Sequence, residues 1–226
     1  MHSDHAQLID LQQYRRILET LQQARPSTLV AVSKTRSAAA ISALYAHGQR
    51  HFGENQVPEA LDKMEQLKPL DALQWHFIGQ IQRNKTRAIA EHFHWVQSVD
   101  RELIIDRLAT QRPAQMPALN VLIQVNIDAE PQKAGCRPDQ LVELCRHVIS
   151  KPGLKLRGLM AIPADSDDAR LQRTSFTRLA RCYNNCEAQG ITLDTLSMGM
   201  SGDWQRAIES GSNMVRIGTA IFGSRN

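Results

Sequence analysis

Apolar residues in this chain come in short dense runs, and between them lie longer stretches with helical spacing. Eight segments, most of them such runs, read as strands: Leu29–Ser33, Arg50–Gly53, Gln74–Gly79, Trp95–Val99, Asn120–Ile127, Leu156–Ile162, Thr195–Met198 and Met214–Gly218. Helical patterns separate them. Ser37 is placed to cap a helix over Ala38–Ala46 that stops at Gly48, a capping hydroxyl at one end and a permissive glycine at the other. Asp100 is placed to cap Glu102–Ala109, which ends before Pro113. Pro138 suits the first turn of a helix carrying Leu141, Leu144, Cys145 and Val148 on one face. Phe176, Leu179, Cys182, Tyr183 and Cys186 mark another, ending at Gly190. Ahead of the first strand, Leu8, Leu11, Ile17, Leu18 and Leu21 keep helical spacing to about Ala24 and stop before Pro26. Residues 1–25 are therefore expected to flank the rest.

Strands alternating with helices imply parallel pairing, and a count of eight implies closure. The predicted fold is α/β: a single (β/α)8 TIM barrel over residues 1–226 with an extra N-terminal helix. An open doubly wound sheet is the alternative, but no Gly-x-Gly-x-x-Gly turn follows the first strand.

Composition narrows the setting. At 226 residues the chain suits one barrel near the lower end of the usual range of about 200–400 residues. No apolar run approaches the roughly 18 residues of a membrane span. Met1-His2-Ser3-Asp4-His5 lacks the basic-then-apolar pattern of a secretory signal, so a cytoplasmic protein is expected. Four cysteines are too few for a disulfide framework; Cys145 and Cys182 read as core thiols. Cys182 and Cys186 are spaced for a metal, but no histidine lies nearby in sequence, and no metal is expected. The net charge of +4 comes from seven lysines and twenty arginines scattered without long basic runs, and aromatics make up 5%. That argues against a nucleic-acid arm or a base-stacking platform and suits a small anionic ligand.

The candidate chemistry lies at strand ends. Met198-Gly199-Met200-Ser201 and Val215-Arg216-Ile217-Gly218-Thr219 each run from an apolar strand into small residues and hydroxyls. In a TIM barrel the loops after strands 7 and 8 commonly form a phosphate cup, because small residues let backbone N–H groups approach an anion. Lys34 stands at the corresponding end of the first strand, where desolvation and neighbouring cations can make its amine nucleophilic. After the second strand, Gly53 permits an unusual backbone angle or a close ligand, and Glu54 and Asn55 are placed either to orient the amine or bond a ring hydroxyl, or to cap the next helix as turn residues. His76, among large apolar neighbours, reads as a satisfied interior group, and Asn84 and Lys85 as either active-site or helix-start residues. Met160 is positioned to pack on an aromatic ligand or to fill core. Arg216, flanked by apolar residues, must point into the barrel or break the apolar strand, and if buried needs a carboxylate or a ligand acceptor as partner. An amine, an inward arginine and a phosphate cup together match what pyridoxal 5′-phosphate requires.

At these residues the chain resembles the pyridoxal phosphate homeostasis protein family, which is similar to the N-terminal barrel of alanine racemase. The blocks that carry the resemblance are Ala31-Val32-Ser33-Lys34-Thr35, Phe52-Gly53-Glu54-Asn55, Trp75-His76-Phe77-Ile78-Gly79, Gln82-x-Asn84-Lys85, Gly158-Leu159-Met160-Ala161-Ile162-Pro163, Met198-Gly199-Met200-Ser201 and Val215-Arg216-Ile217-Gly218-Thr219-x-Ile221-Phe222-Gly223. Each block is weak alone, but all of them in order across residues 31–223 are specific. Two departures, Pro58 and Trp204, fall outside the expected contacts. The resemblance implies a fold-type III barrel with an aldimine on Lys34, phosphate contacts from Ser201, Gly218 and Thr219, Arg216 at the pyridine nitrogen, and Asn55 and Met160 beside the cofactor.

The expected function is a carrier or buffer of pyridoxal phosphate that maintains vitamin B6 homeostasis without established catalysis. An always-charged arginine at the pyridine nitrogen opposes ring protonation and weakens the ring as an electron sink. The chain also ends three residues after Gly223, leaving no second domain to close the site. A monomer making transient contacts with pyridoxal phosphate-dependent enzymes is expected, with no nucleic acid or membrane as partner. The rival readings are an amino-acid racemase, for which no second acid/base group is evident, and a Schiff-base aldolase that uses Lys34 without a cofactor.

Overall fold

The structure, a computed structural model, describes residues 9–24, 27–164 and 166–224. Helix α1 (Leu11–Ala24) precedes β1 (Thr28–Val32), and strands and helices then alternate. They are α2 (Ala38–Ala46), β2 (His51–Glu54), α3 (Val57–Gln66), β3 (Gln74–Phe77), α4 (Thr86–His92), β4 (Trp95–Val99), α5 (Glu102–Gln111) and β5 (Leu119–Gln124). After these come α6 (Leu141–Ile149), β6 (Leu154–Met160), α7 (Ala169–Ala188), β7 (Thr195–Ser197), α8 (Trp204–Glu209), β8 (Met214–Ile217) and the short α9 (Thr219–Phe222). The strands form a closed barrel in sequence order, with β1 parallel to both β2 and β8. The predicted eight-stranded barrel and its added N-terminal helix are what forms.

Several strands stop short of their expected ends. Residues Ile78–Gly79, Val125–Ile127, Ala161–Ile162, Met198 and Gly218 lie beyond the strands and build the mouth. The ladder gives out gradually there: Ile78 still donates to the Glu54 carbonyl (2.9 Å), and Val125 to that of Met160 (2.8 Å). At its other end β6 starts earlier than expected, at Leu154, and bulges. Val121 faces Leu156 whereas Leu122 faces Gly158, so Arg157 is the extra residue.

Ser37 caps α2 as expected, accepting from the Ala40 N–H at 3.2 Å. Asp100 does not cap α5. The cap position is Arg101, and the Asp100 carboxylate is taken by the Arg101 guanidinium at 2.5 Å. α5 also runs on to Gln111. Pro138 opens a 3-10 turn that leads into α6, whose Leu141, Leu144, Cys145 and Val148 are all buried. On α7, Phe176, Leu179 and Cys186 are buried, whereas Cys182, read as a core thiol, is only half-buried. No helix is expected from the sequence at α3, α4, α8 or α9: the last three are short, whereas α3 carries Val57, Ala60, Leu61 and Met64 at helical spacing, a signal that was there to be read. Pro58 sits in the first turn of α3, where proline is tolerated. Trp204 opens α8 with its ring buried.

The main apolar layer lies between strands and helices, and α1 contributes Tyr14, Ile17 and Leu21 to it; Leu8 lies outside the described residues. The Asp10 N–H donates to the Ile221 carbonyl at 2.8 Å, tying the start of α1 to α9. A second cluster, Val30, Trp95, Leu122, Met160 and Met214, fills the barrel interior. No helix among the described residues is long and apolar enough to cross a membrane.

Candidate functional site

The C-terminal ends of the strands surround a cavity of about 470 Å³ lined by Lys34, Arg36, Asn55, Ser201, Arg216, Gly218 and Thr219, with Val32, Ile78 and Ile162 among its apolar walls. Its size and its place at the barrel mouth are those of a small-molecule site. Six of the seven residues expected to meet a ligand line it. Met160, the seventh, does not: it packs wholly buried in the barrel interior.

Lys34 projects from a turn at the end of β1. The Arg36 N–H closes back on the Ser33 carbonyl at 3.0 Å. Between them Thr35 adopts a left-handed φ of +63°, a conformation that disfavours a β-branched side chain. Facing it is the small-residue wall after β7 and β8. Gly199 has φ +98°, and a Cβ there would stand 2.7 Å from the Ala207 Cβ, so glycine is required. Met200 donates its N–H to Asp203 Oδ1 (2.6 Å), Arg216 its N–H to the Gly199 carbonyl (3.0 Å), and Ala220 its N–H to Ser201 Oγ (3.3 Å). Gly218 packs so tightly on β1 that an added Cβ would lie 3.2 Å from the Val32 carbonyl. These bonds fix the shape of a small concave wall on which the hydroxyl residues Ser201 and Thr219 stand beside Gly202 and Gly218, a lining small and polar enough for an anion to approach.

Arg216 does point inward and is 3% exposed. Its Nη1 donates to Ser197 Oγ at 2.6 Å and its Nη2 to the Ala161 carbonyl at 2.9 Å. Both acceptors are neutral. Burial lowers its pKa to about 10, opposed in part by the charge of Asp203, and the group remains a cation at neutral pH. From Ser197 a file of hydrogen bonds runs down the barrel axis. Ser197 Oγ donates to Gln97 Oε1 (2.7 Å), and Gln97 Nε2 meets His76 Nδ1 (2.9 Å) and Met214 Sδ (3.3 Å). His76 Nε2 meets His51 Nδ1 at 2.9 Å, at the opposite end of the barrel. Burial holds the His76 pKa well below the ordinary histidine value, and His51 and His94 add to the effect. His76 is therefore neutral; with Nδ1 accepting from Gln97, its proton sits on Nε2 and is donated to His51. Its expected role as a satisfied interior group is what the structure shows.

Other expected contacts fall elsewhere. Glu54 does not line the cavity; its Oε1 accepts from Ser33 Oγ (2.6 Å) and Lys63 Nζ (2.8 Å). Gly53 admits no ligand; a Cβ there would meet Val30 Cγ1 at 3.1 Å, so the glycine serves interior packing. Asn84 and Lys85 belong to the 3-10 turn that starts α4. None of these lines the cavity. Sequence reasoning passed over Arg36, which is buried against the cavity with Nη2 on the Gly223 carbonyl at 2.6 Å. Its proximity to Lys34 in the first strand-to-helix loop was the available signal.

Comparison with known proteins gives one consistent picture. The family described as the alanine racemase N-terminal domain matches residues 9–226. The chain is 52% identical to the pyridoxal phosphate homeostasis protein of Vibrio cholerae over 201 residues, 88% of this chain and 85% of that protein. It is 51% identical to the protein of the same name from Pseudomonas aeruginosa over 215 residues, 93% and 92% of the two chains. Among solved structures, PipY of Synechococcus elongatus with pyridoxal phosphate (PLP) bound superimposes with a TM-score of 0.84 at 36% identity, covering 93% of this chain and 100% of that one.

Proposed function

The chain belongs to the pyridoxal phosphate homeostasis protein family, built on the alanine racemase N-terminal barrel, and from that membership and its site we propose that it binds pyridoxal 5′-phosphate and carries or buffers it within the cell. One observation carries the reading: Lys34 shares a single cavity with the small-residue wall around Ser201, Gly218 and Thr219. The residues present fit a fold-type III cofactor site. The wall offers the Ser201 and Thr219 hydroxyls and close approach at Gly218 to a phosphate, an amine is available to an aldehyde, and Arg216 brings a cation to the cavity. When bound there, pyridoxal phosphate supplies a reactive aldehyde and an electron-accepting ring.

In this reading Lys34 holds the group covalently, Ser201, Gly218 and Thr219 hold the phosphate, Asn55 lies beside the ring, and Arg216 donates to the pyridine nitrogen. A guanidinium stays charged at physiological pH, so it opposes protonation of that nitrogen and leaves the ring a weak electron sink. That favours retention and release over turnover. The curated relatives are named for homeostasis and not for a reaction, in keeping with a protein that has no catalytic role. We further propose a single-domain, monomeric, cytoplasmic carrier that meets pyridoxal phosphate-dependent enzymes transiently.

Borohydride reduction of the loaded protein followed by peptide mapping tests the assignment. The expected result is a pyridoxyl label on Lys34, lost in Lys34→Ala without transfer to any of the other six lysines. A label found chiefly on another lysine overturns it.

A further inference from the structure

The turn that carries Lys34 is strained, and something must hold it. Thr35 keeps a φ of +63° at the third position of the Ser33–Arg36 turn, a place that favours glycine or asparagine. Such a conformation persists only where the surroundings over-determine it. Here the surroundings are a buried charge cluster on the outer side of the barrel wall. Lys63, on the inner face of α3 and 4% exposed, extends Nζ to the Ser33 carbonyl at 2.7 Å, to Glu54 Oε1 at 2.8 Å and to Glu59 Oε1 at 2.6 Å. Glu59 Oε1 in turn accepts the Thr35 N–H at 2.5 Å, and Glu54 Oε1 accepts the Ser33 hydroxyl at 2.6 Å. The carbonyl before Lys34 and the amide after it are both fastened to one ion cluster.

This arrangement has a cost that packing alone does not explain. Burying an ammonium and a carboxylate is unfavourable unless their geometry and remaining hydrogen bonds are good. All three ammonium contacts are indeed filled, yet Glu54 Oε2 is buried without a partner. None of the three charged residues lines the cavity. Lys63 and Glu59 hold the backbone on either side of Lys34, and Glu54 holds the Ser33 hydroxyl and the Lys63 ammonium.

We propose that Lys63, Glu54 and Glu59 are positioning residues that clamp the strained Ser33–Arg36 turn and so aim the Lys34 amine into the cavity. The clamp rests on the reading of Lys34 as the attachment point. Attachment joins Lys34 Nζ to the aldehyde carbon as a C=N bond, and the aldehyde oxygen leaves as water with both protons of the neutral amine. Its rate depends on where the amine is held, and a displacement of about 1 Å can cost two orders of magnitude. Binding of ring and phosphate does not depend on it.

The test separates these two quantities. Timed borohydride quenching after addition of pyridoxal phosphate measures attachment at Lys34. Pyridoxine 5′-phosphate, which has an alcohol in place of the aldehyde, measures binding alone. Lys63→Met is expected to slow attachment by about tenfold or more while leaving affinity for pyridoxine phosphate unchanged. Thr35→Gly added to Lys63→Met is expected to restore most of the rate, because glycine holds a positive φ without strain. If Lys63→Met does not fold, Glu59→Ala decides, since that side chain is partly exposed and its loss frees the Thr35 amide. A wild-type attachment rate in the folded variant overturns the clamp, as does a proportional loss of both quantities or a failure of Thr35→Gly to rescue. A wild-type protein that takes no label at Lys34 refutes the functional reading instead, whatever the variants do.

Discussion

His76 shows how one side chain can tie the site to the stability of the whole chain. It is fully buried, and burial with two neighbouring imidazoles depresses its pKa. The unfolded chain regains the ordinary value near 6.5. Below that pH the unfolded state takes up a proton that the folded state refuses, so stability falls as pH falls, by up to about 1.4 kcal/mol per pH unit for this one group. Above about pH 7.5 the group contributes no slope. Urea unfolding between pH 5 and 8 is expected to show this decline, and His76→Asn to make it shallower; an unchanged slope would contradict the assignment. The same scale explains what could be read from residues alone. Lys34 and Arg216 stood out because a charge at the end of, or within, an apolar strand has few places to go. Lys63 and Glu59 did not, because on α3 they look like an ordinary i,i+4 surface pair until the helix is laid over the turn.

Among the elements, β6 is the one whose sequence is least replaceable. The bulge at Arg157 brings Gly158 against β7 so closely that a Cβ would stand 1.7 Å from the Thr195 carbonyl. No rotamer relieves a clash between Cβ and backbone. Gly158→Ala is expected to destabilise the protein at or above the top of the roughly 1–3 kcal/mol range for overpacking, with the damage centred on the β6–β7 pairing. Thermal unfolding and hydrogen exchange at Leu159 and Leu196 would show it, and a wild-type melting temperature would mean that the barrel widens there at little cost. Strands such as β1 and β8 proved legible because each is a dense apolar run, whereas the last residues of several strands did not. The apolar character of Ile78, Ile127 and Ile162 continues past the point where the chain turns away from the ladder. Asp100 failed as a cap for a similar reason: an arginine one residue on claims the same carboxylate, and helix propensity does not report that competition.

At the scale of the molecule, closure of the barrel lets a line of polar groups run through an apolar interior from one mouth to the other. Closure itself was legible from the count of alternating elements; the line was not, because Gln97, Ser197 and His51 come from strands far apart in sequence. Every donor in the file from Arg216 through Ser197, Gln97 and His76 to His51 faces the same way, so their dipoles add instead of cancelling, and each polarises the next. The interior therefore works as an electrical indicator. An anion settling beside Arg216 offsets part of the positive field at the head of the line and makes the imidazole at its foot more basic. Binding couplings are reciprocal, so mild acid at the His51 end should tighten anion retention at the Arg216 end. A proton NMR titration of His51 with and without bound pyridoxal phosphate is expected to show an upward shift in its pKa, and Gln97→Met to diminish it. Equal shifts in the two proteins would mean that the field passes through the solvent, with the barrel wall as a bystander.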